Sequence, residues 1–331
     1  MPQLRQNIIT GEWVVIAPER AKRPDDYAKK REKEVNLTSV NERCVFCSDG
    51  REYQRRYKQF TNRHTWVIPN KYPAFLLDEK QLSTRSIYPE NSFFRAKAAL
   101  GEHDLIIIKE HQISMPCFSL PIWQDLLEMI QLRMIAHHQN SQVEHIMPIY
   151  NHLSQAGASI AHPHAQIFSS PVVPNEINRE IDGAERYFNN NGFCVFCDLI
   201  SHEQKHKLRV VEENDHFIAF TFYAARFPFE VWILPKYHES NFETTHRKQR
   251  DNLAKIFKNT TSRLNQLLVN PPMNWWIHSL PTIEEKSAYY HWHIEIAPRI
   301  TGYGGYELGA NMVIDIQSPE AAARYLNQIN L

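Results

Sequence analysis

The stretch GASIAHPHAQIFSSP, residues 157–171, sets His162, His164 and Gln166 at a spacing of two. In an extended strand that spacing turns all three side chains to one face. A neutral imidazole on such a face is a competent nucleophile toward phosphorus, and a covalent phospho-histidine divides one difficult transfer into two easier ones. An amide two residues along can donate its N–H to phosphoryl oxygens as charge shifts onto them. Just upstream, YNHLSQAGAS supplies Asn151 and Ser159 as neutral donors, among small residues that let a phosphate come close.

His162 belongs to a second pattern. The motif CVFC occurs twice, at 44–47 and at 194–197, and each copy is followed by the same events in the same order. An apolar run leads to a histidine, His111 in the first copy and His238 in the second. A His-x-His pair then follows, 162–164 and 291–293. Two thiolates and two imidazoles are the donor set of a tetrahedral structural zinc site. The expected groups are therefore Cys44, Cys47, His111 and His162, then Cys194, Cys197, His238 and His291, with His278 and His293 as competitors in the second. A metal on His162 would fix the strand that carries His164 without touching His164 itself. A redox Cys-x-x-Cys is expected to open a helix in a βαβ unit, and neither copy reads as one.

The elements that must position these residues also read as a repeat. The two copies are separated by 150 residues at the cysteines, 127 at His111 and His238, and 129 at the His-x-His pairs, so one early segment carries an insertion of about twenty residues. Two homologous halves, 1–175 and 176–331, follow from this. Strands are expected over 13–16, 105–108, 231–234 and 291–296, and helices over 119–139 and 247–268. The segment 172–192 reads as a connecting loop and a short helix. Strand and helix do not alternate steadily, which points to an α+β fold with an antiparallel sheet and packed helices in each half. No Walker or Rossmann glycine loop is present, and GYGGYELG at 302–309 follows no strand-to-helix pattern.

Lys plus Arg equals Asp plus Glu at 37 each, so no bulk field favours nucleic acid or an anionic membrane. The first residues contain no apolar leader, and the most apolar window is interrupted by Arg226 and Glu230. Paired cysteines that suit metal better than disulfides suggest a reducing, cytoplasmic setting. The lone Cys117 is expected to be a small buried hydrophobe. His137, His138, His202, His206 and His246 have no partner pattern and receive no role.

Taken together, these motifs resemble the galactose-1-phosphate uridylyltransferases, in the wider histidine-triad superfamily. The resemblance covers nearly the whole chain and includes TGEWVVIAPERAKRP, CVFC, NKYPA, Asn151 through HPHAQ, FPFEVWILPKYH and GYELG in family order. It implies two histidine-triad-like halves and a homodimer. It also implies ping-pong transfer of a nucleoside monophosphate from a nucleotide-sugar to a hexose-1-phosphate, through a nucleotidyl-His164 held with Gln166. Asn70, Asn151, Ser159, Tyr306 and Glu307 match substrate-binding positions, and Arg20 and Arg23 match arginines that reach phosphates across a dimer interface.

Some positions depart from the best-known bacterial members. Their second metal site uses a glutamate and histidines, whereas CVFC at 194–197 is as in a branch with plant adenylyl-transferring relatives. Thr301 and Val313 stand where those members carry a lysine and a glutamine. Phosphorolysis of ADP-glucose or of dinucleoside polyphosphates is therefore the alternative within the same chemistry. A zinc-stabilised nucleotide-binding protein without turnover is the alternative from another class. Glu295 occupies the place of Gln166 in the second copy, and a carboxylate there repels phosphate, so only the first half is expected to be catalytic.

Overall fold

The computed structural model describes residues 1–20, 44–77, 93–94, 96–281 and 287–331. A small sheet joins the two ends of the chain. Strands β1 (Gln3–Gln6) and β2 (Trp13–Ile16) form an antiparallel hairpin, and β12 (Ile314–Asp315) adds to β2 in parallel.

The remaining strands build one antiparallel sheet of nine. They are β3 (Thr65–Pro69), β4 (Glu102–Ile108), β5 (His145–His152), β6 (His164–Ser170), β7 (Val210–Glu213), β8 (Phe217–Thr221), β9 (Val231–Pro235), β10 (Met273–His278) and β11 (His293–Pro298). Their spatial order is β3-β4-β6-β5-β10-β11-β9-β8-β7. Read outward from the β5–β10 seam, the order is β5, β6, β4, β3 on one side and β10, β11, β9, β8 on the other. The repeat seen in the sequence is thus a two-fold arrangement inside one sheet, with β7 added at one edge. Asn151 pairs with Asn274 at the seam.

Each half crosses one face of the sheet with a long helix, α1 (Leu120–His137) between β4 and β5 and α4 (Arg247–Leu268) between β9 and β10. In α1, Ile122, Trp123, Leu126, Leu127, Ile130 and Met134 recur at helical spacing and are buried, and Pro121 sits in the first turn where no N–H is needed. The two helices meet through Trp123 stacked on Phe257, and both rings pack on Trp275 of β10. This large core takes Ile106, Ala165, Ile277 and Ile294, the inward-pointing residues of four different strands.

The opposite face is covered unequally. Over the second half lie the β1–β2 hairpin, α2 (Asn175–Asn191) and α3 (Val195–His206), packed on Ile218, Phe220, Trp232 and Leu234. Gly183 of α2 is pressed so closely on the hairpin that a Cβ there would stand 1.8 Å from the carbonyl oxygen of Ile9. Over the first half the same face carries a small cluster, Phe46, Trp66, Ile68, Leu105 and Ile107.

The structure differs from the sequence expectations at several points. The sheets expected one to each half are continuous, β4 starts at Glu102 and not Leu105, and GYGGYELG does form a helix after a strand. The segment after 172 is a helix of 17 residues rather than a loop and a short helix, because Ile177, Ile181 and Ala184 form a buried stripe and Gly192 ends it in a left-handed conformation. The strand expected over 291–296 runs His293–Pro298, since His291 turns away toward the cysteines. Cys194 caps α3, so the second CVFC does open a helix, although no βαβ unit surrounds it. Cys117 is exposed, because the short 3-10 turn Met115–Cys117 buries Met115 and Pro116 instead. No helix among the described residues is long and apolar enough to cross a membrane.

Candidate active site

Cys44, Cys47, His111 and His162 bring four donor atoms within 4.8 Å of one another, and Cys194, Cys197, His238 and His291 do the same. In the first group Cys47 Sγ lies 3.2 Å from His111 Nδ1 and Cys44 Sγ 3.4 Å from His162 Nδ1. In the second, Cys197 Sγ lies 3.4 Å from His238 Nδ1 and 3.7 Å from His291 Nδ1. The far nitrogens are already committed. His162 Nε2 donates to the carbonyl of Ile108 at 2.6 Å, His291 Nε2 to Pro235 at 2.9 Å, and His238 Nε2 to Ser287 at 2.8 Å. That leaves each Nδ1 lone pair turned toward the sulfurs, the outer hydrogen bonding a ligating imidazole needs. Both donor sets fit a tetrahedral cation.

Thiol acidity is split within the second pair, where Cys197 is pushed well above the ordinary thiol range, first by its hydrogen bond to Cys194 and then by burial, as Cys194 is lowered. Burial and the neighbouring Cys44 push Cys47 up to about 11. Cys194 is pulled down to about 3, first by the hydrogen bond from Cys197 and, against burial, by His238 and His291. Burial holds His162 down to about 4, so its ring is neutral as ligation requires.

Two residues beyond His162, the His164 ring is buried and its Nδ1 donates to the carbonyl of His162 at 2.8 Å. This fixes the tautomer with the lone pair on Nε2. Burial, opposed by that hydrogen bond, lowers its basicity below the ordinary histidine value, so the ring is neutral near pH 7. Phe46 of the first CVFC lies edge-on to it at 5.6 Å. A neutral, oriented imidazole can attack an electrophilic phosphorus through Nε2.

The register gathers the amides on the same face. Gln166 pairs with Leu105 and Ile149, and Asn151, two residues along from Ile149, pairs with Asn274. His164, Gln166, Asn151, His103 and Asn274 therefore share one side of the sheet, the side with the smaller covering. Ser159 is exposed in the loop that leads from Asn151 to His162. That loop is strained, because Leu153 takes φ 69° and ψ 159°, a region that favours glycine, and Gly157 follows at φ 96°.

Other expected residues are placed as follows. Asn70 follows β3, its Oδ1 accepting from the Tyr72 N–H and its Nδ2 resting on His103, so its amide is committed within the protein. Tyr306 and Glu307 lie on the short helix α5 (Gly305–Ala310), where Glu307 accepts from the N–H of Gly304 at 2.9 Å and Tyr306 donates to Met312. Arg20 ends a 3-10 turn and is exposed, and Arg23 lies outside the described residues.

Two associations escaped the sequence reading, although His278, His293 and Glu295 were each singled out there. His103 and Asn274 touch Gln166 and Asn151 across strands, a contact no local spacing announces. Glu180, His278, His293 and Glu295 form a buried cluster with donor atoms within 4.8 Å, joined by Arg226, whose guanidinium meets Glu295 at 2.6 Å. Burial opposes it, but Arg226 and His278 draw Glu295 down to about 2. His278 is raised, since Glu180 outweighs burial. His278 belongs to this cluster and not to the cysteine group.

Two copies of one strand-and-histidine unit share a sheet, and only one presents its buried imidazole beside neutral amides. Such an arrangement can support group transfer through a histidine. Sequence models of the galactose-1-phosphate uridyl transferase N-terminal and C-terminal domains match residues 1–174 and 180–328, and the chain belongs to this family of nucleotidyltransferases.

Among curated relatives, the ADP-glucose phosphorylase of Arabidopsis thaliana is 32% identical over 339 residues, covering 100% of this chain and 93% of that protein. A galactose-1-phosphate uridylyltransferase of Thermotoga maritima is 27% identical, covering 99% and 98%. The crystal structure of the Arabidopsis ADP-glucose phosphorylase with bound ADP-glucose superposes over 100% of both chains with a TM-score of 0.83 at 29% identity.

Proposed function

We propose that this enzyme transfers a nucleoside monophosphate between a nucleotide-sugar and a phosphate acceptor through a covalent nucleotidyl-His164. The supporting observation is the neutral His164 ring, anchored at Nδ1 and flanked on its face by Gln166 and Asn151. His164 Nε2 attacks the α-phosphorus, the bond from that phosphorus to the bridging oxygen breaks, and the sugar phosphate departs with the electron pair. The second acceptor then attacks the same phosphorus and returns the ring to its neutral state. Gln166 donates to the phosphoryl oxygens through the transfer, with Asn151 and Ser159 contacting phosphate. Residues 1–175 form the catalytic half and 176–331 the half that carries the second cation group and sugar-phosphate contacts at Tyr306 and Glu307.

Zinc suits both cysteine–histidine groups, where it would cross-link loops to the sheet. Cys44, Cys47, His111 and His162 would hold one ion beside the catalytic strand. Assembly as a cytoplasmic homodimer would allow Arg20 and Arg23 to reach a phosphate in the partner's site.

A UDP-glucose and hexose-1-phosphate pair is supported by the likeness to the galactose-1-phosphate uridylyltransferase of Thermotoga. An ADP-hexose donor with inorganic phosphate as acceptor is supported by the 32% identity to the plant phosphorylase against 27% to the Thermotoga enzyme. Thr301 and Val313 also depart from the sugar-contacting lysine and glutamine. Intact-protein mass spectrometry after brief mixing with UDP-glucose, and separately with ADP-glucose, tests both. A uridylyl adduct discharged by galactose-1-phosphate supports the first, an adenylyl adduct discharged by phosphate supports the second, and no adduct from either rejects both donors.

A further inference from the structure

An amide has two unlike ends, and a phosphate accepts hydrogen bonds at all its oxygens. Gln166 and Asn151 help a phosphoryl group only when their NH2 ends face it. Something must hold each amide in that orientation, because the reverse one would bring an oxygen against an anion.

For Gln166 the holder is His103, on the adjacent strand β4. The imidazole is buried and stacked on Phe168 at 3.9 Å. The backbone N–H of Ala74 points at its Nδ1 from 3.2 Å, while Asn70 Nδ2 lies beside the ring, 3.4 Å from Nδ1 and 3.1 Å from Nε2. A backbone N–H can only donate, so the Ala74 contact makes Nδ1 an acceptor and places the ring proton on Nε2. Nε2 in turn lies 3.0 Å from Gln166 Oε1. The glutamine oxygen is therefore occupied, and its NH2 is left for the face that carries His164.

Asn151 is arranged in the same way from the other half. Asn274 Nδ2 donates to Asn151 Oδ1 at 2.7 Å and to the carbonyl of Ala156 at 2.7 Å, while Asn274 Oδ1 accepts from Arg299 at 3.2 Å. A backbone carbonyl on one side and a guanidinium on the other determine which way Asn274 points, and Asn274 determines Asn151.

We propose that His103 and Asn274 are positioning residues that orient the two amides, so that both present NH2 to the transferring phosphoryl group. The proposal rests on the reading of His164 as the nucleotidyl acceptor. His103→Phe keeps the stack on Phe168 and removes the donor. It should slow formation of the His164 adduct roughly 10–100-fold with the donor KM within about two-fold. His103→Gln sets an amide nitrogen near the place of Nε2 and should recover most of the rate. In a Gln166→Ala background, His103→Phe should change the rate less than about two-fold, since its action passes through the missing amide. Asn274→Asp should cost a similar factor, and little more once Asn151 is Ala. Additive losses in either double variant would overturn the proposal.

Nitrogen-15 NMR of the histidine rings gives a readout independent of turnover. The His103 ring must be the neutral Nε2–H tautomer, with its Nε2 resonance shifted by Gln166→Ala, and an Nδ1–H tautomer overturns the proposal. If the wild-type enzyme forms no adduct but His103 passes this test, the reading of the site fails while the orientation of Gln166 by His103 stands.

Discussion

The two halves hold the second imidazole of His-x-His by the same means. His164 Nδ1 donates to the His162 carbonyl at 2.8 Å and His293 Nδ1 to the His291 carbonyl at 3.1 Å, and the phenylalanine of each CVFC lies against the ring. The register then matches Gln166 with Glu295, Asn151 with His278, Leu105 with Trp232 and His103 with Glu230. Neutral polar or small apolar residues in the first copy stand where the second has charged or bulky ones. Trp232 stacks on His293 at 4.7 Å, and Glu180, brought in by α2, takes up His278. One scaffold thus carries a row of neutral polar groups in the first half and a buried ionic core in the second. A shared backbone preserves position, and a few side chains decide whether that position is vacant for an anion or already neutralised.

The largest expected break in this contrast is His164→Ala, which should reduce transfer by about a thousand-fold or more while leaving fold and metal content intact. His293→Ala should leave the rate of each folded molecule within a few-fold. Adduct formation by mass spectrometry alongside circular dichroism separates the two, and full activity in His164→Ala removes the nucleophile assignment.

Next in size is Glu295→Gln, which strands Arg226 and His278 beside Glu180 and should destabilise the protein by about 3–5 kcal/mol. Urea midpoints measure it, and a loss below about 1 kcal/mol would mean the cluster is not the core of that half.

A smaller effect distinguishes the metal groups. Cys44→Ser and Cys197→Ser should each lose about one equivalent of metal by elemental analysis and lower the melting temperature. Only Cys44→Ser should also slow transfer, by roughly ten-fold, because His162 ties that group to the strand of His164. Equal rate losses in both would dissolve the distinction between the halves.

The smallest is a pH effect. Glu295 is held at about 2 against an ordinary 4.5, so its stabilising contribution is complete above pH 4.5 and fades as the pH falls toward 2. Glu295→Gln should flatten that acid limb of the stability curve. His278 is raised above 6.5, so its contribution is present below 6.5 and fades as the pH rises through its raised value.

Much of the site was legible in the sequence because its signals are local or repeated. Cys44 and Cys47 sit at ligand spacing, His164 and Gln166 at strand spacing, and the second CVFC allowed each reading to be checked against its copy. The strand over 13–16 and the helix over 247–268 match β2 and α4 residue for residue, since both are uninterrupted periodic runs. The merging of the halves into one sheet was not legible, because pairing of β5 with β10 joins segments more than a hundred residues apart. Cluster residues such as Glu180 were hidden for the same reason, as nothing near Glu180 in the chain reports that His278 and Tyr290 will meet it. The length of α2 was understated because its polar residues mask a narrow buried stripe.

The β5–β10 seam has a consequence for how such a chain can be divided. Severed in the linker after 171, each fragment would carry a raw strand edge, β5 on one and β10 on the other, with unpaired N–H and C=O groups complementary to those of its counterpart. The fragments would be adhesive toward each other and, by the two-fold likeness of the edges, toward themselves. Asn274 would then act as the badge of the correct match, since an N-terminal fragment paired with its own kind meets Met147, the counterpart of Asn274, in that place.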